Sequence, residues 1–202
     1  MPKVLISDAM DGIAEKILTS NKIDVDIKTD LNTDELKDKI SEYDGLIIRS
    51  ATKVTKEIIE SAKNLKIIGR AGAGVDNIDL VSAKEKKIIV MNTPGGNTNA
   101  TAEHTLALLM SLSRKISIAD SSTHKGEWAK KKLKGNEIKG KTVGIIGFGN
   151  VGRRFAEICK VLGLKVLIVS KSFINVKDQY PEYISCDLNE VLSQADIISF
   201  HC

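Results

Sequence analysis

Gly147-Phe148-Gly149-Asn150-Val151-Gly152 spells G-x-G-x-x-G, directly after the apolar run "TVGII" and directly before a stretch with helical periodicity. Glycine at the first position permits a tight turn, at the second lets a bulky anion approach the backbone, and at the third lets helix and strand pack closely. A helix that starts here offers free N–H groups and a partial positive charge, which suits the pyrophosphate of a dinucleotide. As an isolated pattern it also marks ordinary tight turns, and the strand before it and the helix after it select the dinucleotide reading. A second apolar run, "LKVLIVS", closes on Ser170, followed by Lys171 and Ser172. An acidic residue there would bind the adenine ribose and repel a 2′-phosphate. Ser-Lys-Ser supplies hydroxyls and a cation, so NADP is at least as well served as NAD, unless Lys171 simply points to solvent.

The other chemistry-bearing residues exclude more than they suggest. Cys159, Cys186 and Cys202 form no C-x-x-C and no metal spacing, which fits a reducing cytoplasm. The basic run Lys130-Lys131-Lys132-Leu133-Lys134 lacks an aromatic ladder and reads as a solvated loop face, not a nucleic-acid patch. The net charge of +4 is too small to imply a polyanionic partner. The start, "MPKVLISDAM", reads as a strand and not as a signal peptide, and no run approaches the ~18 apolar residues of a membrane span. With 202 residues, 42% hydrophobic and 28% charged, the chain can bury one large or two small cores.

The elements that must position these residues fall into two α/β runs, 1–96 and 97–202. In the first, "KVLISD", "IDVDIK", "GLIIRS", "LKIIGRAG" and "IIVMN" read as strands, with helices capped at Thr33 and Thr55 between them. Leu36, Ile40 and Tyr43 share one helical face, and Ile58, Ile59 and Ala62 another. Five strands alternating with helices imply a parallel, doubly wound sheet. "NTPGGNTN" breaks the pattern as a hinge, and "ATAEHTLALLMSLSRKIS" reads as one long apolar helix. The second run continues as strand, glycine turn, helix and strand, with Val151, Phe155, Ile158, Cys159 and Leu162 on the buried face. A weak strand at "EYIS", a helix from Asp187 with Glu190 completing its cap, and a last strand "DIISFH" follow.

Together the stretches "DGLIIRSATKVT", "LKIIGRAGAGVDNIDL", "IIVMNTPGGNTNATAEHTLALLMSLSR", "GKTVGIIGFGNVGRRFAE" and "LSQADIISFHC" resemble the D-isomer-specific 2-hydroxyacid dehydrogenases over nearly the whole chain. The resemblance implies a flavodoxin-like substrate domain at 1–96, an incomplete Rossmann domain at 97–202 for NAD or NADP, and an active site between them. It places Arg49 and Ser50 on the substrate's phosphate or carboxylate, which a guanidinium grips bidentately. It places the N–H groups of Ala73, Gly74 and Val75 on the carboxylate and Asn97 near the substrate. Arg49 as a strand-end surface charge and Asn97 as a turn residue are the plainer alternatives. Gly147, Gly149, Asn150, Val151 and Gly152 would line the pyrophosphate, Ser170 and Lys171 the adenosine end, and His201 and Cys202 the cofactor crevice by their backbone. His104 would open a packing helix, His124 would lie in the loop before "GEW", and Trp128 would anchor that loop on a second copy in a homodimer.

The family's reaction is hydride transfer between a small 2-hydroxyacid and the nicotinamide, and 3-phospho-D-glycerate, oxidised to 3-phosphohydroxypyruvate on the way to L-serine, is the first substrate implied. An NADP-dependent hydroxypyruvate or glyoxylate reductase and a non-catalytic dinucleotide-sensing protein of the same fold are the alternatives. The family's catalytic His, Arg and Glu follow a strand like "DIISFH", so none is assigned here. The chain as given is expected to be inactive alone, and unstable where that strand is left as an uncovered edge.

Overall fold

The computed structural model describes residues 1–202 and divides into two compact units, Met1–Gly96 and Asn97–Cys202. In the first unit β1 (Lys3–Ile6), β2 (Asp24–Ile27), β3 (Gly45–Ile48), β4 (Ile67–Arg70) and β5 (Ile89–Met91) form one parallel sheet in the order β2-β1-β3-β4-β5. This is the flavodoxin-like order, with its reversal between β1 and β3. The helices α1 (Ile13–Ser20), α2 (Thr33–Lys39), α3 (Lys56–Ser61) and α4 (Leu80–Glu85) supply the crossovers. Inner strands of a parallel sheet are covered on both faces and therefore read as unbroken apolar runs. Leu5, Ile6, Leu46, Ile48 and Ile68 are accordingly buried, while the edge strand β2 alternates Asp24-Val25-Asp26-Ile27.

The cap and face of α2 differ from expectation. Asn32, not Thr33, is the N-cap: its side chain accepts the Asp34 and Glu35 N–H groups, and the Glu35 carboxylate takes the Asn32 N–H in a capping box. The helix stops at Lys39, Ile40–Glu42 tightens into a 3₁₀ turn, and Tyr43 lies beyond it. Leu36, Ile40 and Tyr43 are nevertheless all buried together. Thr55 holds the cap position of α3, but its hydroxyl makes no capping bond.

The second unit starts with α5 (Thr98–Arg114) and α6 (Ile116–His124), then carries β6 (Thr142–Ile146), α7 (Asn150–Val161), β7 (Lys165–Val169), α8 (Lys171–Ile174), β8 (Ile184–Ser185), α9 (Leu188–Gln194) and β9 (Ile197–Phe200). Its sheet is parallel, ordered β8-β7-β6-β9. The long helix expected after the hinge is α5, but it stops at Arg114 and not at Ser117, because Lys115 adopts φ 54°, breaks the ladder and lets α6 start. α5 packs on α7 but buries only Ala102 and Leu109, leaving Leu108 and Leu112 exposed. His124 ends α6 and does not lie in the following loop. On α7, Phe155, Ala156 and Cys159 are buried, whereas Leu162 is the exposed C-cap. Asp187 and Glu190 form the reciprocal cap of α9. No helix is long and apolar enough to cross a membrane.

Candidate functional site

In the second unit three strand ends meet at the glycine turn. The Gly147 N–H donates to the Val169 carbonyl (2.9 Å), and the His201 N–H donates to the Ile146 carbonyl (2.7 Å). Gly147 has φ +101°, and a Cβ on it would also press on the His201 carbonyl. Gly152 is buried, and a Cβ there would run into the Gly147 carbonyl. Gly149 is different: it is exposed, caps α7, and has no atom within 4 Å of where a Cβ would stand. No side chain caps α7. Its first N–H groups therefore face open space beside the exposed Asn150 and half-buried Val151, at the point where the strand order reverses between β6 and β9. That geometry fits a dinucleotide pyrophosphate, which needs close backbone approach and donors with no other partner.

Ser170 follows β7, and its Oγ lies 2.9 Å from the Ser172 Oγ; Lys171 between them is exposed. The His201 ring sits 5.3 Å from the Phe155 ring, with Nε2 2.9 Å from the Ser199 hydroxyl. Burial pushes its pKa below the usual histidine value, so the ring is neutral at neutral pH. Cys202 is exposed. Phe148, inside the glycine turn, packs edge-on against Phe173, Tyr180 and Tyr183. The Arg153 guanidinium lies over the Phe148 and Tyr180 rings at 5.6 and 5.3 Å. Sequence reasoning missed this cluster, although the concentration of aromatics between 148 and 183 in a chain with only 4% Phe, Trp and Tyr could have signalled it.

In the first unit the sequence-derived residues gather at the C-terminal ends of β3 and β4. Arg49 and Ser50 follow β3 and are exposed; one guanidinium nitrogen of Arg49 donates to the Ala9 carbonyl (3.1 Å). Ala73 and Gly74 are exposed and Val75 half-buried in the loop after β4, which the Asn92 amide ties back through the Ala73 carbonyl (2.6 Å). Arg70, which sequence reasoning did not single out, ends β4 inside this group. Its Nε donates to the Arg49 carbonyl (3.3 Å) and its Nη1 pairs with Asp76 at 2.6 Å. A Cβ on Gly74 would crowd both partners of that pair, at 2.9 and 3.0 Å. Asn97 is the N-cap of α5 in the other unit, exposed and without a capping bond. His104 is exposed on α5, Trp128 is 86% exposed, and no group of three or more His, Cys, Asp or Glu side chains could hold a metal.

An open helix N-terminus at the reversal point of one parallel sheet, with a second parallel sheet in the same chain, is the arrangement of a two-unit α/β protein with a Rossmann-type unit. The chain belongs to the D-isomer specific 2-hydroxyacid dehydrogenases, whose catalytic-domain model matches residues 4–195. It is 41% identical over 199 residues to D-3-phosphoglycerate dehydrogenase of Archaeoglobus fulgidus, covering 98% of this chain and 38% of that one. It is 43% identical over 200 residues to hydroxypyruvate reductase of Thermotoga maritima, covering 98% of this chain and 64% of that one. The chain thus spans less than two thirds of either relative. Among solved structures, NAD+-bound 3-phosphoglycerate dehydrogenase of Entamoeba histolytica matches with TM-score 0.79 at 31% identity, over 100% of this chain and 62% of that one. An acyclic imino acid reductase in complex with NADPH and D-Arg matches with TM-score 0.85 at 33% identity, over 99% of this chain and 65% of that one.

Proposed function

We propose that this chain binds NAD(P) on its second unit and a small anionic D-2-hydroxyacid, foremost 3-phospho-D-glycerate, on its first, as part of a dehydrogenase that passes hydride between them. The observation that carries the reading is the open, uncapped N-terminus of α7 behind Gly149. The bound nicotinamide supplies the hydride acceptor. The chain's own residues do the holding: the α7 N–H groups neutralise the pyrophosphate, and the Arg49 guanidinium and Ser50 face the acid's carboxylate or phosphate. Arg70, anchored on the Arg49 carbonyl and paired with Asp76, braces the same edge. The names of the D-3-phosphoglycerate dehydrogenase relatives favour a phosphorylated acid; a place in serine synthesis and a homodimer are part of the same proposal.

A second reading, an NADP-dependent hydroxypyruvate reductase, is favoured by one observation. Ser170, Lys171 and Ser172 follow β7 with no carboxylate among them, and Lys171 is exposed where a 2′-phosphate would sit. No residue of the chain is assigned as proton acceptor, so the experiment reads binding. Calorimetric titration of NADH, NADPH, 3-phosphoglycerate and hydroxypyruvate into the full chain separates the readings. Saturable binding of a dinucleotide and of 3-phosphoglycerate, the latter lost in R49Q, is expected. Binding of NADPH and hydroxypyruvate with no measurable 3-phosphoglycerate binding selects the second reading, and no dinucleotide binding at all overturns both.

A further inference from the structure

The loop Arg49–Thr52 belongs to no helix or strand, yet its backbone is fully engaged at both ends by two side chains from elsewhere. Asp8, buried just past β1, takes the N–H of Arg49 (2.5 Å), the N–H of Thr52 (3.1 Å) and the Thr52 hydroxyl (2.6 Å). Asn77 works from the opposite side with opposite polarity: its amide nitrogen donates to the carbonyls of Arg49 (2.8 Å) and Thr52 (2.6 Å). The Asn77 backbone is itself fixed, because its main-chain carbonyl accepts the Val54 N–H (2.8 Å) while the neighbouring Ile78 bridges to buried Val54. An acceptor-only carboxylate thus holds the two N–H groups, and a donor amide holds the two carbonyls. Such groups, buried without partners, destabilise the loop that carries them.

Neither side chain belongs to the anion-facing group. We propose that Asp8 and Asn77 are positioning residues that clamp the Arg49–Thr52 loop from its two sides, so that Arg49 and Ser50 stay pre-arranged for the anionic ligand. The proposal rests on the reading of Arg49 as an anion-binding residue. Burial pushes the Asp8 carboxyl up, but the Thr52 hydroxyl and the Arg49 and Thr52 N–H groups outweigh it and hold the carboxyl below the usual range. Asp8 is therefore an ionised acceptor at neutral pH. An unclamped loop must order itself on binding, and that cost falls on affinity for the anion and not on the dinucleotide.

Two nearly isosteric changes test the clamp. N77D sets a carboxylate against two carbonyls, and D8N sets an amide NH2 against one of the two N–H groups while its oxygen still accepts the other; N77A is the milder control. Affinities for 3-phosphoglycerate and for NADH are measured on the full chain, with amide exchange at Arg49 and Thr52. The expected result is at least about tenfold weaker phosphoglycerate binding in N77D and D8N, NADH affinity within about twofold of the parent, and faster exchange at both amides. The unmoved NADH affinity separates a local effect from unfolding. If N77D and D8N bind phosphoglycerate like the parent while R49Q does not, the clamp is overturned and the functional reading stands. If the parent binds no phosphoglycerate, the functional reading fails, and amide exchange decides the clamp alone: faster exchange in the variants supports it, unchanged protection overturns it.

Discussion

Three glycines in one turn carry different physical duties, and substitution distinguishes them. Gly152 faces the Gly147 carbonyl with no room for a Cβ, so Gly152→Ala must displace backbone at the core of the second unit. Overpacking of that kind costs about 1–3 kcal/mol. A lowered melting temperature is expected, with a fall in dinucleotide affinity beside it because the displaced Gly147 belongs to the same turn. Gly149 has nothing around it within 4 Å, so Gly149→Val has little effect on melting but occupies the ground the pyrophosphate needs. NADH affinity is expected to fall about tenfold or more in a titration, and an unchanged affinity would remove the turn from the cofactor site. This contrast was legible in the spacing of the motif. Arg70 was not, because an arginine closing a strand looks the same in sequence whether it faces solvent or, at 12% side-chain exposure, is held by Asp76 and the Arg49 carbonyl. Asn77 was invisible for a similar reason: its partners lie 28 and 25 residues away.

At the scale of elements, β2 is an edge strand whose polar side chains tie it to its neighbours. Asp26 pairs with Lys3 of β1 (3.1 Å) and with Lys28 (3.5 Å), and it accepts the Tyr43 hydroxyl (2.7 Å). The Tyr43 hydrogen bond first, and then the Lys3 ammonium, lower the Asp26 carboxyl from 3.8 to about 2. A carboxyl depressed in the folded state stabilises it fully above the unfolded value, and that stability is lost as pH falls through the folded one. Asp26→Asn is therefore expected to lower the melting temperature of the first unit at pH 7, the difference from the parent closing between pH 3.8 and about 2. A gap that persists at pH 2 would show that the ion pairs are not its origin. All five strands of this unit were legible: the inner strands β1, β3 and β4 as apolar runs rich in Ile, and the edge strand β2 as the alternation Asp24-Val25-Asp26-Ile27. Helix limits were less so. Asn32 and Thr33 are both good caps, and only Glu35, three residues after Asn32, decides between them. The break at Lys115 has no such signal, because a lysine at φ 54° carries no glycine to announce it.

Over the whole molecule, each buried cluster draws on one unit alone: Leu5 to Ile88 in the first, Ala102 to Tyr183 in the second. If each unit holds its own ligand, as proposed, the separate cores should respond separately to binding. The second sheet has four strands, one of them the two-residue β8, and its edge strand β9 exposes Ile198 and Phe200, the latter 71%. In calorimetry the transition of the second unit is expected to be raised selectively by NADH. At a free concentration of about 100 times its Kd the ligand adds about 2.7 kcal/mol to the state that binds it. 3-Phosphoglycerate should raise the other transition and leave the first where it was, with amide exchange at Ile168 and Ile48 reporting the two cores. A single transition moved equally by either ligand would instead make the two units one cooperative body, in which the cofactor and the acid stabilise the same fold.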